Sequence, residues 1–349
     1  MKNIKIGERI IGEENEPFII AEAGINHNGD IILAKAMVDV ASEVGADAIK
    51  FQTFSAEEFI RDDSLMYTYK SQGMEITEPM LEMFKRYEFS NKQWKEIKNY
   101  CDEKKIMFIS TPQNVSDLEL LMELGVDAIK IGSDDFVNTP LICRYALEGK
   151  TMILSCGMAY STEIDEVINC LQEKENDMVL MLCTSQYPTA PKNVNIRRLW
   201  TLSQKYPELV LGFSDHTRGT EAAVMAVYAG ARIFEKHFTL SHDYAGPDHW
   251  FSEEPHSLKM WIKAIKNAYL MIGSGVLEPT NEEREMRKIA HRSITLSQDV
   301  ESGQLLTEKN TCLQRPGTGI PAREYNVIVG KRINKNLPKG YQIRYSDIE

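Results

Sequence analysis

Lys50 and Lys130 each close a near-identical hexapeptide, Gly45-Ala46-Asp47-Ala48-Ile49-Lys50 and Gly125-Val126-Asp127-Ala128-Ile129-Lys130, eighty residues apart. A single lysine after an apolar stretch is a surface group by default. Two in the same context suggest one anion site, because paired ammonium groups hold a phosphate or carboxylate through charge-assisted hydrogen bonds. A looser third copy, Gly230-Ala231-Arg232-Ile233-Phe234-Glu235-Lys236, runs directly into His237. His216 follows another short apolar stretch. Two histidines at neighbouring strand ends suit a divalent ion, with positions left open for water and substrate. An anion beside a metal fits phosphate hydrolysis, aldol chemistry or phosphoenolpyruvate condensation, and these residues do not choose among them.

The elements that must position these groups alternate along the chain. Apolar strand segments are predicted at residues 18–23, 48–51, 106–109, 128–131, 151–154, 178–182, 210–212 and 233–234. Helical periodicity falls between them, over 31–44, 91–104, 116–124, 140–147, 161–172, 196–205, 221–228 and 257–272, with Ser161 or Thr162 as the expected cap of the fifth. Eight strand–helix pairs make a (β/α)8 TIM barrel, whose strand C-termini carry the chemistry. A doubly wound sheet would more often show a Gly-rich dinucleotide turn after its first strand. That turn here reads Ala23-Gly24-Ile25-Asn26-His27-Asn28-Gly29. The polar segment 55–90 is far longer than a usual connection and is expected to be a loop covering the site.

Read at the strand ends, the candidates are Glu22, Asn26 and His27; Lys50 and Gln52; Ser110 and Thr111; Lys130 and Ser133; and Ser155. The last three strands add Thr184, Ser185 and Tyr187; Ser214, Asp215 and His216; and Glu235, Lys236 and His237. Alone, each is as well explained as a cap or turn residue. Together they offer cations and hydroxyls to a phosphate and a carboxylate.

Composition limits the classes of function. A chain of 349 residues with 43% hydrophobic and 26% charged residues is an ordinary globular protein, long enough for a barrel and a smaller module. Net charge of −11 argues against nonspecific nucleic-acid binding. No long apolar run and no signal-like N-terminus are present, so a cytoplasmic protein without a membrane span is expected. Six scattered cysteines indicate neither a disulfide framework nor a Cys-type zinc site. After a barrel over residues 1–276, residues 277–291 read as a polar linker and 292–349 as a small, loop-rich domain. Residues 292–349 carry a balance of +3, which leaves −14 for the rest. A basic module docking on an acidic body would explain that split, and so would chance.

Phe18-Ile19-Ile20-Ala21-Glu22-Ala23-Gly24-Ile25-Asn26-His27-Asn28-Gly29 resembles the opening motif of the sialic acid synthase family. Lys50-Phe51-Gln52-Thr53, Phe108-Ile109-Ser110-Thr111-Pro112, Gly212-Phe213-Ser214-Asp215-His216-Thr217, Glu235-Lys236-His237-Phe238-Thr239 and Gly246-Pro247-Asp248-His249 continue it in order. The tail, with Arg315-Pro316-Gly317-Thr318-Gly319, is similar to the family's antifreeze-like (SAF) domain. The resemblance implies condensation of phosphoenolpyruvate with an N-acylated hexose, N-acetylmannosamine or a 2,4-diacetamido-2,4,6-trideoxymannose, to a nine-carbon 2-keto acid and phosphate. It implies that Lys50, Thr111, Lys130, Ser133, Ser155, Ser185 and Ser214 bind phosphoenolpyruvate. It further implies that His216 and His237 hold a divalent ion, Mn2+ before Mg2+ or Co2+. Glu22, Lys50, Glu235 and Asp248 are then the catalytic set, and Gln52, Asp135, Tyr187, Asp248 and Arg315 the sugar contacts. The implied assembly is a homodimer in which the SAF domain of one subunit reaches the barrel of the other.

Two departures bear on the substrate. Ser133-Asp134-Asp135 replaces a common Ser-Gly-Glu, and Ser185 stands where asparagine is common. Pro247-Asp248-His249 points away from a pseudaminate synthase, while sialate and legionaminate stay open. The alternatives are a metal-dependent phosphate hydrolase on the same barrel and a catalytically silent sugar-binding homologue. A hydrolase would usually want three protein ligands, and the sequence offers two strong ones.

Overall fold

The structure, a computed structural model, describes residues 2–173 and 176–349. The chain divides into two compact units, Met1–Gly273 and Ser274–Glu349. The first contains eight parallel strands: β1 (Phe18–Gly24), β2 (Ala48–Thr53), β3 (Met107–Pro112), β4 (Ala128–Ile131), β5 (Thr151–Ser155), β6 (Met178–Cys183), β7 (Val210–Ser214) and β8 (Ile233–His237). Their ladder runs β3-β2-β1-β8-β7-β6-β5-β4, and β3 packs beside β4 to bring the two edges together. This is the expected (β/α)8 barrel, nearly closed.

The period-2 alternation of a strand divides the side chains between two cores. Ile19, Ala21, Ile49, Phe108, Ile129, Leu154, Leu180, Leu211 and Phe234 face outward and pack with helices such as Ile31–Glu43, Asn91–Lys104 and Pro255–Ile272. The inward positions Phe18, Ile20, Ala48, Ile109, Ala128, Ile153, Val179, Val210 and Ile233 form a separate inner core. An N-terminal hairpin, Ile4–Ile6 with Arg9–Ile11, packs Ile4, Ile6 and Ile11 into that same core. The hairpin is too short to show in the sequence pattern. With the lower half of the barrel filled by apolar side chains, only the C-terminal half is left for polar inward positions.

The repeated glycines have a backbone reason. Gly45, Gly125 and Gly230 take φ of 86°, 72° and 99°, the left-handed region that turns a helix end into the next strand. Gly125 is the C-cap of the helix Val115–Leu124.

Residues 55–90 are more ordered than the expected loop. They form a helix Ala56–Phe59, an antiparallel hairpin of Met66–Ser71 with Met74–Pro79, and a helix Met80–Tyr87. Its turn is Gln72-Gly73, with φ of 50° and 78°. Most of the hairpin side chains are exposed, so no hydrophobic alternation announced the strands. Neither Ser161 nor Thr162 is the expected cap; the helix Ser161–Gln172 is capped by Tyr160, whose N–H donates to the Glu163 carboxylate at 2.6 Å. Against the expectation from cysteine spacing, Cys143 and Cys170 form a disulfide between two outer helices.

The second unit has its own core of Ile294, Leu296, Val300, Leu306, Ile320, Ile328, Ile333, Leu337 and Ile343. Strands Ser293–Leu296 and Thr311–Gln314 pair antiparallel within it. The region read as a linker carries a helix, Asn281–Ala290, opened by a Thr280–Glu283 capping box and burying none of its residues. That polar surface is why it looked like a linker. Among the described residues no helix is long and apolar enough to cross a membrane.

Because open space surrounds the Cβ position of Gly125, the penalty for a side chain there is purely one of backbone conformation. Gly125→Val is expected to cost ~1–2 kcal/mol in urea unfolding and Gly125→Asn much less. Equal stability of the valine variant and wild type would contradict the left-handed assignment.

Candidate active site

The inward positions of the upper barrel are Glu22, Lys50, Gln52, Thr111, Lys130, Ser155, Cys183, Ser214, Glu235 and His237, and all line one cavity of about 850 Å3. The loops after the strands add Ser133, Asp134, Ser185, Tyr187, His216 and Asp248. The hairpin and the helix after it close one side with Tyr67, Tyr69, Met80, Met83 and Phe84. The hairpin is fastened to the loop after β8. Gln72 Nε2 donates to the Asp243 carbonyl at 2.7 Å, and Gly246 N donates to Ser71 Oγ at 3.0 Å.

At the floor, four ionisable groups are almost wholly buried. Lys50 Nζ lies 2.9 Å from Glu22 Oε1 and 3.8 Å from Glu235 Oε2, while Lys130 Nζ lies 3.8 Å from Glu235 Oε1. Lys130 donates to Ser155 Oγ at 2.7 Å and Lys50 to Thr111 Oγ1 at 3.3 Å. Ser214 donates to Glu235 Oε1 at 3.1 Å. The two carboxyl groups are pushed apart in acidity. Burial, with Glu235 adding to it, raises Glu22 against the pull of Lys50. Burial would raise Glu235 too, but Lys130 and Lys50 outweigh it and hold Glu235 below the usual range. Burial lowers Lys130, whereas at Lys50 the two carboxylates overcome burial and raise it. One oxygen of each carboxylate, Oε2 of Glu22 and of Glu235, is buried without a hydrogen-bond partner. Such orphaned acceptors fit a site awaiting substrate or water.

The hydroxyls beside Lys130 enclose a small space. Ser133 Oγ accepts from Gly157 N at 3.1 Å, and Ser185 Oγ is buried without a partner. A Cβ at Gly157 would meet Ser133 Oγ at 2.5 Å and Ser185 Oγ at 2.6 Å. Glycine keeps this cradle open.

Next to the cradle, the rings of His216 and His237 stand 5.5 Å apart, with Tyr187 4.2 Å from His216. His216 Nδ1 donates to the Thr184 carbonyl at 2.9 Å, which fixes the tautomer and leaves Nε2 as a lone-pair donor. His237 Nδ1 is buried and unpartnered, with Asp248 Oδ2 3.9 Å away. Burial, with His216 and both lysines adding to it, holds His237 well below its usual range, so the ring is neutral. Burial, with Glu22 adding to it, pushes Asp248 up to about 7. Two imidazoles facing one space, one of them held neutral and carrying an orphaned nitrogen, fit a divalent ion. Among the described residues no cluster of three or more His, Cys, Asp or Glu side chains is placed to hold an ion.

Several strand-end candidates lie elsewhere. Asp135 is turned from the cavity and accepts from Asn138 Nδ2 at 3.2 Å; its neighbour Asp134 lines the cavity instead. Asp215 and Lys236 occupy outward positions and pair with each other at 2.9 Å. His27 is buried behind β1, stacked on Phe89 at 4.3 Å, and burial brings its pKa down to about 3. Asn26 bonds the Phe238 carbonyl and Ser252, and Ser110 bonds Thr53 and the Phe51 carbonyl. Arg315 is an exposed residue of the second unit. Cys183 lines the cavity although it is not among the residues picked from the strand ends; its inward parity with Val179 and Met181 is the signal that marks it. The hairpin side chains are not among them either, and no barrel rule locates them.

Residues 37–277 match the NeuB family and residues 291–349 the SAF domain. The chain belongs to the NeuB family. It is 36% identical to an N,N'-diacetyllegionaminic acid synthase of Campylobacter jejuni over 93% of this chain and 98% of that protein. It is also 36% identical to a protein of the same name from Legionella pneumophila, over 95% of this chain and 94% of that one. Among solved structures, an N-acetylneuraminic acid synthetase from Leptospira borgpetersenii in complex with citrate superposes with a TM-score of 0.74 at 35% identity. That match covers 82% of this chain and 95% of the other. These three relatives are synthases of legionaminic or N-acetylneuraminic acid.

Gly157→Val is expected to weaken binding of inorganic phosphate markedly in calorimetric titration of the folded variant, at a stability cost of about 1–3 kcal/mol, because its side chain occupies the space between Ser133 and Ser185. Unchanged phosphate affinity would place the anion elsewhere.

Proposed function

We propose that this NeuB-family protein condenses phosphoenolpyruvate with an N-acylated hexose and water to give a nine-carbon 2-keto acid and phosphate. The observation that carries the reading is one cavity holding Lys50, Lys130 and the hydroxyl cradle against two histidines. The phosphate sits in the cradle of Ser133, Ser155, Ser185 and Ser214, and the lysines take its charge and that of the carboxylate. The sugar occupies the wider part, near Gln52, Asp134, Tyr187 and Asp248. His216 and His237 would hold a divalent ion, Mn2+ as the first choice, which would supply a Lewis acid for the aldehyde of the open-chain sugar.

The chain's own groups have separate tasks. Lys50 and Lys130 fix phosphoenolpyruvate so that its C3 meets the aldehyde carbon, and the new C–C bond leaves positive character at C2. Water adds there, the C2–O bond to phosphate breaks, and the hydroxyl proton is lost as the ketone forms. One proton goes to the former aldehyde oxygen and one leaves with phosphate. Glu22, the carboxyl group raised by burial, handles the water, while Glu235 stays ionised between the lysines. Environments that drive two carboxyl groups apart in acidity are the usual basis for such a division.

For the sugar, we favour 2,4-diacetamido-2,4,6-trideoxymannose over N-acetylmannosamine. Tyr67, Met80, Met83 and Phe84 give the cavity an apolar wall, which suits a methyl group and acetyl methyls better than free hydroxyls. The legionaminic acid synthases among the relatives support the same choice. Arg315 contacts the N-acyl group from the SAF domain of a second subunit in a homodimer.

Phosphate release with Mn2+ and phosphoenolpyruvate is expected to require sugar and to be faster with the trideoxy sugar. Release without any sugar would support a hydrolase, and none across a broad sugar panel a silent homologue. His216→Ala is expected to abolish metal-stimulated turnover; a variant as active as wild type would remove the metal assignment. Arg315→Ala should raise the sugar KM more than the phosphoenolpyruvate KM, and equal effects would contradict a sugar contact.

A further inference from the structure

The outward faces of β7 and β8 carry a polar cluster that no step above uses. Ser214 and His216 point into the cavity, and so do Glu235 and His237. The residues between them, Asp215 and Lys236, point the other way into the layer between barrel and helices. Both are almost wholly buried, with side-chain exposures of 0% and 3%. Lys236 Nζ lies 2.9 Å from Asp215 Oδ2, donates to the Thr217 carbonyl at 2.6 Å and has Glu253 Oε1 at 3.6 Å. Asp215 Oδ2 also accepts from Trp261 Nε1 at 2.9 Å. Asp215 Oδ1 accepts from Thr217 N at 2.9 Å and from Thr217 Oγ1 at 2.7 Å. The carboxylate thus has four donors, which leaves no lone pair to stray.

Energetics alone do not account for such a cluster. A buried ion pair recovers its desolvation cost only with excellent geometry, and apolar residues of similar volume often serve stability as well. Beyond the backbone ladder, in which Asp215 N donates to the Glu235 carbonyl at 2.8 Å, what the pair adds is geometric. It joins the residue before His216 to the residue before His237, and through Trp261 it anchors both to the helix Pro255–Ile272. Glu253 extends the tie, since its N–H donates to the His237 carbonyl at 2.8 Å. We propose that Asp215, Lys236 and Trp261 are positioning residues, a clamp behind the barrel wall that sets the separation and aim of the His216 and His237 rings. The proposal rests on the reading of those rings as the holders of a divalent ion. Hydrogen-bond partners of metal ligands govern affinity by about 10- to 100-fold, and this clamp acts on the same two rings through the backbone.

The test uses the full chain and Mn2+ alone, read by the loss of the free-ion electron paramagnetic resonance signal, with inorganic phosphate binding followed separately by calorimetry. In Lys236→Met, Mn2+ affinity is expected to fall about 10- to 100-fold while phosphate affinity stays within about twofold. Lys236→Arg, which keeps the charge and the donors, should recover most of the loss. If Lys236→Met fails to fold, Trp261→Phe, which removes one donor from Asp215, decides the matter with the same two readouts. Wild-type Mn2+ affinity in a folded deciding variant would overturn the clamp. So would an equal loss of Mn2+ and phosphate binding, which marks general loosening of the barrel. No Mn2+ binding by the wild-type protein would instead overturn the metal reading on which the clamp stands.

Discussion

Two ammonium groups and two carboxyl groups, each almost wholly buried, share the floor of one cavity. Taking such charges out of water is costly, and it is tolerated only where each has a close partner. Lys50 finds Glu22 at 2.9 Å, and Lys130 finds Ser155 at 2.7 Å with Glu235 at 3.8 Å. The four groups are balanced in charge yet not fully satisfied, because one oxygen of each carboxylate has no partner. An incoming anion can then take the ammonium groups while Glu22, already biased toward its neutral form, gives up charge.

The scaffold supplies that environment by simple parity. Inward positions in the lower barrel are Phe, Ile, Val, Ala and Met, sealed by the N-terminal hairpin; the next inward positions up include Glu22, Lys50, Lys130, Ser155 and Glu235. One strand thus carries core and chemistry on the same face, two residues apart. The outward residues of the same strand ends are not idle. Asp215 and Lys236 use their face to tie β7 to β8, so both sides of the wall contribute to placing two imidazoles 5.5 Å apart.

Much of this was legible in the chain because barrels repeat. Glycine, an apolar strand and a terminal lysine recur at Lys50 and Lys130, and a left-handed glycine is a local requirement that sequence displays directly. The alternating elements and the SAF tail were readable for the same reason. What stayed hidden depends on direction or on tertiary fit. Asp135 and Asp134 are adjacent acids, and only the path of the loop after β4 turns one inward. Asp215 and Lys236 look like site residues until strand parity is counted from Ser214 and Glu235. The hairpin Met66–Ser71 with Met74–Pro79 escaped because its exposed strands lack an apolar face, and the disulfide Cys143–Cys170 because it joins helices that only the fold makes neighbours.

The central claim is that the two lysines embrace one phosphoenolpyruvate. Difference density from crystals soaked in that compound tests it most directly. The account predicts anionic oxygens within about 3.2 Å of the ammonium nitrogens of both Lys50 and Lys130, with the phosphate among the serine hydroxyls. Phosphoenolpyruvate bound away from either lysine, or absent while both remain paired with Glu22 and Glu235, would contradict it.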